Sequence, residues 1–228
     1  MTVRVLIAED QPLVRAGLEM LLNAEPDIQV VATVGDGAQA IEEARRLQPD
    51  VIVMDIRMPG TDGVEATRHI ANDMFSKEVD RPIKILVLTT YNLDEAVFAA
   101  IRAGASGFLL KDAIPRELIS AIHAVAAGDG WLDPAVTRAF LKEFAARPEP
   151  LPRTSAAVGQ LTPREIDVFG LVGQGLSNAE IAEHLFISEA TVKTHLGRVL
   201  MKLGLRDRSQ AIVAAYRSGL VEFDGNSH

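Results

Sequence analysis

Five short apolar runs rich in Val, Ile and Leu alternate with five stretches of helical spacing across the first half of the chain. No other feature constrains the fold as much. The apolar runs are Val3–Ala8, Ile28–Thr33, Val51–Met54, Ile83–Leu88 and Gly107–Leu110; the helical stretches are Leu13–Asn23, Ala38–Leu47, Val64–Asn72, Leu93–Ala103 and Arg116–Ala127. Short apolar runs without polar alternation read as strands buried on both faces. Strands separated by helices are joined by crossovers, so they lie parallel and the helices cover both faces of the sheet. Right-handed crossovers leave few topologies. The expectation is an α/β, doubly wound, flavodoxin-like unit of five parallel strands in the order 2-1-3-4-5.

The pattern changes after Ala127. Gly128-Asp129-Gly130 breaks the last of these helices, and Asp133-Pro134 opens a short helix to about Ala146. Residues 147–160 hold three prolines among Ser, Thr and Ala and read as an extended linker. From Leu161 onward the pattern is helical only, in four segments. Two begin with capping boxes, Thr162-Pro163-Arg164-Glu165 and Ser177-Asn178-Ala179-Glu180, where the hydroxyl accepts the N3 amide and Glu reaches back to the cap amide. Gly173 or Gly175 can end the first segment and Gly204 the third. Phe186-Ile187-Ser188 separates the second segment from the third, which is helix-turn-helix spacing. The expected division is therefore 1–127, a linker 128–160 and a small all-α, four-helix unit 161–224, with Trp131 anchoring the linker to the first unit.

Ligands of parallel α/β sheets bind beyond the carboxyl ends of the strands. The first strand runs into Glu9-Asp10, the third into Asp55, the fourth into Thr89-Thr90 and the fifth into Lys111. Three carboxylates, a hydroxyl and an amine thus converge above one edge of the sheet. Crowded carboxylates repel unless a cation sits among them, and oxygen donors of this kind suit Mg2+. A carboxylate beside magnesium can attack phosphorus and form an aspartyl phosphate. The oxygens of the transferring group then need positive charge and donors, which Lys111 and Thr89 would add to those of the metal.

The third helix of the second unit, about Glu189–Leu203, places Val192, Leu196, Val199, Leu200 and Leu203 on one stripe. Lys193, Thr194, Gly197 and Arg198 fall on another face. In helix-turn-helix proteins the second helix of the motif enters the major groove with its N-terminal residues at base edges, where Lys193 and Thr194 are best placed. The net charge of −8 runs against a DNA ligand, but Lys193, Arg198, Lys202, Arg206 and Arg208 face only Asp207 in that region. Local potential, rather than the total, steers a polyanion.

Ile7-Ala8-Glu9-Asp10, Val53-Met54-Asp55-Ile56-Arg57-Met58-Pro59-Gly60, Leu88-Thr89-Thr90 and Gly104-Ala105-Ser106-Gly107-Phe108-Leu109-Leu110-Lys111 resemble a receiver domain. Leu161-Thr162-Pro163-Arg164-Glu165, Gly175-Leu176-Ser177-Asn178-Ala179-Glu180-Ile181-Ala182 and Ser188-Glu189-Ala190-Thr191-Val192-Lys193-Thr194-His195 resemble a LuxR-type DNA-binding domain. Together the chain is similar to the NarL/FixJ response regulators of two-component systems. The resemblance implies that Asp55 is the phosphoacceptor and that Glu9, Asp10, Asp55 and the Arg57 main-chain carbonyl hold magnesium. It implies Thr89 as switch hydroxyl, Phe108 as switch aromatic and Lys111 as phosphate-binding lysine. In the second unit it implies DNA contacts at Ser188, Thr191, Lys193, Thr194, Arg198 and Lys202, and dimerisation through the fourth helix, Ser209–Ser218.

Two positions depart from the family pattern. Asp112 follows the lysine where many receivers carry proline, so a trans or strained Lys111–Asp112 bond is expected. Gly197 replaces a longer polar or basic residue; it either forfeits a base contact or lets the helix backbone sit closer to a duplex. The implied function is a non-enzymatic transcription regulator, phosphorylated at Asp55 by a sensor histidine kinase, which relieves inhibition between the domains and favours homodimers on double-stranded DNA. An orphan regulator that binds DNA without phosphorylation is the alternative. A haloacid-dehalogenase-like phosphatase would need an acid two residues after Asp55, where Arg57 stands. Absence of cysteine excludes disulfide and Cys-zinc chemistry. With no leader segment and no apolar run near the roughly 20 residues of a membrane span, a soluble, cytoplasmic protein is expected.

Overall fold

The computed structural model describes residues 2–71, 82–89, 95–132, 158–205 and 207–221. The chain divides into two compact units, Met1–Asp133 and Pro134–His228. Thr90, Arg206, the expected helix start at Leu93, the end of the Val64–Asn72 stretch, the helix from Asp133 and most of the linker lie outside the described residues.

In the first unit the strands are β1 Val3–Ala8, β2 Ile28–Val34, β3 Val51–Asp55, β4 Lys84–Thr89 and β5 Gly107–Leu110. They alternate with the helices α1 Pro12–Asn23, α2 Gly37–Leu47, α3 Gly63–Ile70, α4 Glu95–Ala103 and α5 Pro115–Ala126. All neighbouring strands are parallel, and the expected order holds as β2-β1-β3-β4-β5. The two faces of the sheet explain the unbroken apolar runs: Val5, Ile7, Val53, Leu86 and Leu109 pack with Leu22 of α1 and Leu118, Ile122 and Val125 of α5, and the alternate residues Leu6, Ile52, Met54, Ile85 and Val87 are buried as well. Helix starts follow local chemistry. Asp36 caps α2 by accepting the Gln39 amide at 2.8 Å, and Asp62 caps α3 by accepting that of Glu65 at 2.8 Å.

A sixth strand, β6 Trp131–Leu132, was not expected from the sequence; it extends the sheet in parallel beside β5, with Trp131 opposite Gly107 and Leu132 opposite Phe108. Gly107 makes this pairing possible, because a Cβ there would lie 2.9 Å from the Trp131 carbonyl oxygen and 2.8 Å from Val125 Cγ2. Trp131 is half-buried against the core of the first unit, consistent with an anchor there. Gly128 and Gly130, at φ +81° and +67°, turn the chain from α5 into β6.

The described residues of the second unit form four helices, α6 Pro163–Gly173, α7 Asn178–Leu185, α8 Glu189–Leu203 and α9 Arg208–Arg217. Both capping boxes form: Glu165 accepts the Thr162 amide at 2.8 Å and Glu180 that of Ser177 at 2.7 Å. Phe169, Val172, Ile181, Val192, Leu196, Val199, Ile212 and Ala215 are buried together. A Cβ at Gly173 would meet Ala215 Cβ at 2.7 Å, so the glycine lets α6 and α9 cross closely. Gly175 and Gly204 take the left-handed conformations that follow α6 and α8, at φ +85° and +64°. No described helix is long and apolar enough to cross a membrane.

Candidate functional site

Strand register assembles the acidic site. Ala8 pairs with Met54, so the next residues, Glu9 and Asp55, emerge at one level from adjacent strands. Asp55 pairs with Leu88, which puts Thr89 one step further on β4. Thr89 pairs with Leu110, and the Lys111 amide donates to the Thr89 carbonyl at 2.7 Å. The pocket therefore follows from four parallel strands ending together: β3 and β4 end on Asp55 and Thr89, and Glu9 and Lys111 directly follow β1 and β5.

Glu9, Asp55 and Thr89 are buried, and the Asp10 and Lys111 side chains are partly covered. Lys111 Nζ lies 2.8 Å from Glu9 Oε2 and 2.8 Å from Asp55 Oδ2, bridging two carboxylates that would otherwise repel. Burial, aided by the Asp55 charge, raises the Glu9 pKa above the ordinary carboxylate value despite the lysine. Burial opposes the Lys111 ammonium, yet hydrogen bonds to Asp55 and Glu9 outweigh it, and its pKa stands raised. The Arg57 amide donates to Asp55 Oδ1 at 3.3 Å while its side chain is exposed. Phe108 is wholly buried in β5. No cis peptide occurs among the described residues, Lys111–Asp112 included.

Glu9, Asp10 and Asp55 each offer a carboxylate oxygen, all within 4.8 Å of one another. Asp10 Oδ1 is buried without a hydrogen-bond partner. A hard cation such as Mg2+ is the ligand these donors fit: it would satisfy that oxygen and neutralise the cluster.

Arg15, on the first turns of α1, had no place in the sequence reading. Its guanidinium holds the Glu9 carbonyl at 2.5 Å and so fixes the turn that carries both acids. A basic residue one turn after an acidic pair was the available signal. Gly63 has a related role, since its amide donates to the Ile56 carbonyl at 2.9 Å and α3 begins against the backbone of Asp55.

In the second unit, Ser188 is the N-cap of α8: its hydroxyl accepts the Thr191 amide at 3.2 Å and lies 2.8 Å from Thr191 Oγ1. Lys193, Thr194, Gly197 and Arg198 are exposed on one side of α8, and Val192, Leu196 and Val199 are buried on the other. Thr194 Oγ1 turns back to the Ala190 carbonyl at 2.9 Å. Lys202 stands apart from this group. Its Nζ lies 2.7 Å from Glu165 Oε2 and donates to the Gln160 carbonyl at 3.2 Å, tying the end of α8 to the cap of α6. The Lys202 hydrogen bond, helped by the Thr162 amide, lowers the Glu165 pKa to about 2.

Residues 5–123 match the response regulator receiver domain family, and residues 159–215 match the bacterial regulatory proteins of the luxR family. Over 220 residues the chain is 42% identical to the uncharacterized transcriptional regulatory protein YxjL of Bacillus subtilis (strain 168), covering 96% of this chain and 98% of that protein. The crystal structure of the response regulator ChrA from a heme-sensing two component system is similar at TM-score 0.52 and 40% identity, over 96% of this chain and 99% of that one. The structure of two RcsB dimers bound to two parallel DNAs is similar at TM-score 0.54 and 25% identity, over 95% of this chain and 99% of that one.

Proposed function

The chain belongs to the response regulators that join a receiver domain to a LuxR-type DNA-binding domain, and from that premise we propose that phosphorylation of Asp55 by a sensor histidine kinase controls its binding to double-stranded DNA. As a member of this family it is a non-enzymatic transcriptional regulator. The observation that carries the proposal is the buried Asp55 carboxylate, hydrogen-bonded to Lys111 among the acids of one strand edge.

In the proposed reaction an Asp55 carboxylate oxygen forms the new P–O bond as the P–N bond of a phosphohistidine breaks, and the imidazole leaves with the electron pair. Glu9, Asp10, Asp55 and the Arg57 carbonyl would hold Mg2+, which supplies charge to the phosphoryl oxygens when bound. Lys111, already on Asp55, keeps its ammonium beside the added group, which brings a charge of about −1.5 to −2. Thr89 offers its hydroxyl from the neighbouring strand, and its movement opens space for Phe108. These shifts bias a two-state element in the receiver. The second unit is thereby freed to dimerise through its last helix and to bind a duplex.

DNA binding is supported by the luxR-family match and by the DNA complex of RcsB. Lys193 and Thr194 are assigned to base edges, and Ser188, Thr191 and Arg198 to phosphates or nearby bases. Lys202 is assigned to the same surface through its remaining donor, while its salt bridge with Glu165 holds α8 in place. The cytoplasm is the proposed location.

Incubation with acetyl phosphate and Mg2+, read by intact mass, tests the first step. Wild type should gain one phosphoryl group, and Asp55→Asn none. Equal labelling of both proteins would overturn the assignment.

A further inference from the structure

Most glycines of the described chain have a reason within it. Gly63, Gly107 and Gly173 have no room for a Cβ, and Gly204 has a positive φ. Gly197 has neither. It stands inside α8 in a conformation open to any residue, and a Cβ there would meet nothing within 4 Å. Alanine would make the helix more stable, because glycine gives up more backbone freedom on folding. The second unit thus carries a cost at Gly197 that no contact among the described residues recovers.

Gly197 lies one turn beyond Lys193 and directly before Arg198, on the exposed side of the helix. At 100° per residue it points about 130° away from the mean direction of Val192, Leu196 and Val199. Thr194, three residues earlier, folds its hydroxyl back onto the Ala190 carbonyl. Between two cations the surface of α8 is therefore low, and at Gly197 it is bare backbone. An α-helix with side chains is about 10–12 Å across and the major groove of B-DNA about 12 Å wide. In so close a fit, one side chain on the outward surface decides how deep the helix can lie.

We propose that Gly197 sets the depth at which α8 seats in the major groove, by letting its backbone approach the base edges closely enough for Lys193 and Thr194 to reach them. The proposal rests on the DNA-binding reading above. Gly197 is a positioning residue: it makes no side-chain contact, and sequence preference depends on it through its neighbours. Phosphate contacts, made from the flanks by long side chains, tolerate a helix held slightly outward. Base contacts, with strict hydrogen-bond geometry, do not.

The test uses the full chain treated with acetyl phosphate and Mg2+. A duplex is first selected by the wild-type protein from a random-sequence pool. Affinities for that duplex and for a scrambled one are then compared among wild type, Gly197→Ala and Gly197→Leu, with urea unfolding measured in parallel. Gly197→Ala should lower the unfolding equilibrium constant about fivefold. It should also weaken binding to the selected duplex about tenfold, with less than a threefold change on the scrambled one. Gly197→Leu should lose more on the selected duplex. A more stable Gly197→Ala protein that binds the selected duplex as tightly as wild type would overturn the proposal. A wild-type protein that selects no sequence would instead sink the DNA reading, and this inference with it.

Discussion

Replacing Gly63 by alanine gives the sharpest test of how the phosphoacceptor strand is held. A Cβ at Gly63 would lie 2.0 Å from the Asp55 carbonyl oxygen and 2.9 Å from both the Asp55 carbonyl carbon and Ile56 Cα. All three are backbone atoms, so no side chain can swing aside. Relief to about 3 Å, the closest approach real Cβ atoms make, requires the start of α3 and the end of β3 to part by about 1 Å. Overpacking of this kind costs about 1–3 kcal/mol, and a forced backbone shift belongs at the upper end. The Gly63 amide bond to the Ile56 carbonyl, 2.9 Å long, would also be lost, adding about 1 kcal/mol. The expected loss is about 3–4 kcal/mol, equivalent to roughly 2 M in urea midpoint at an m-value of about 2 kcal/mol/M. Gly17→Ala is the matched control. Its Cβ meets nothing within 4 Å and it lies exposed within α1, so it should stabilise the same unit by about 1 kcal/mol. Hydrogen exchange against urea, followed on peptides of β1 and β3 in the full chain, reads both changes. If Gly63→Ala falls within 1 kcal/mol of wild type, the steric reasoning about this junction is wrong.

Three other perturbations follow from the same geometry. Lys111→Met strips the cation from Glu9 and Asp55 and should cost about 2–4 kcal/mol at neutral pH in a chelating buffer, with Mg2+ restoring more stability to the variant than to wild type; an unchanged urea midpoint in chelator refutes it. Glu165 is held below its unfolded pKa of about 4.5, at about 2, so its stabilisation of the second unit is whole above pH 4.5 and drains away as the pH falls toward 2. Thermal melts across that range should steepen for wild type and flatten for Glu165→Gln; parallel curves would remove Glu165 from the explanation. Phe186 is 95% exposed and left-handed at φ +55°, a conformation asparagine adopts more readily, so Phe186→Asn should raise the stability of the second unit by up to about 1 kcal/mol. Calorimetry showing a loss instead would mean the ring contributes more than its exposure suggests.

The alternation of buried runs with amphipathic stretches made the five-strand order legible, because right-handed crossovers leave so few ways to arrange them. Once the strands are parallel and adjacent, Glu9, Asp55, Thr89 and Lys111 have to meet, since each ends its strand or directly follows it. The rest escaped for physical reasons. A two-residue strand such as Trp131–Leu132 is too short to display a period, and its presence depends on the missing Cβ of Gly107, a tertiary fact. Helical periodicity places Lys202 on a cationic surface but cannot tell that the cap glutamate of another helix lies opposite it. The end of α7 was legible in the turn Phe186-Ile187-Ser188, but phenylalanine carries no signature of a left-handed residue, so the left-handed cap at Phe186 was not.

The sixth strand bears on where the receiver can be cut. An open strand edge offers unpaired amides and carbonyls to any passing chain. In the intact protein, Trp131 and Leu132 occupy the outer edge of β5 alongside Gly107 and Phe108. A fragment ending at Ala127, where helical spacing stops, would bare that edge and uncover the apolar patch beneath the indole. Truncation after Leu132 keeps both sealed. Sedimentation of the two fragments should find the shorter one self-associating and the longer one monomeric, which would set the working end of the receiver at Leu132, beyond the end of its last helix at Ala126.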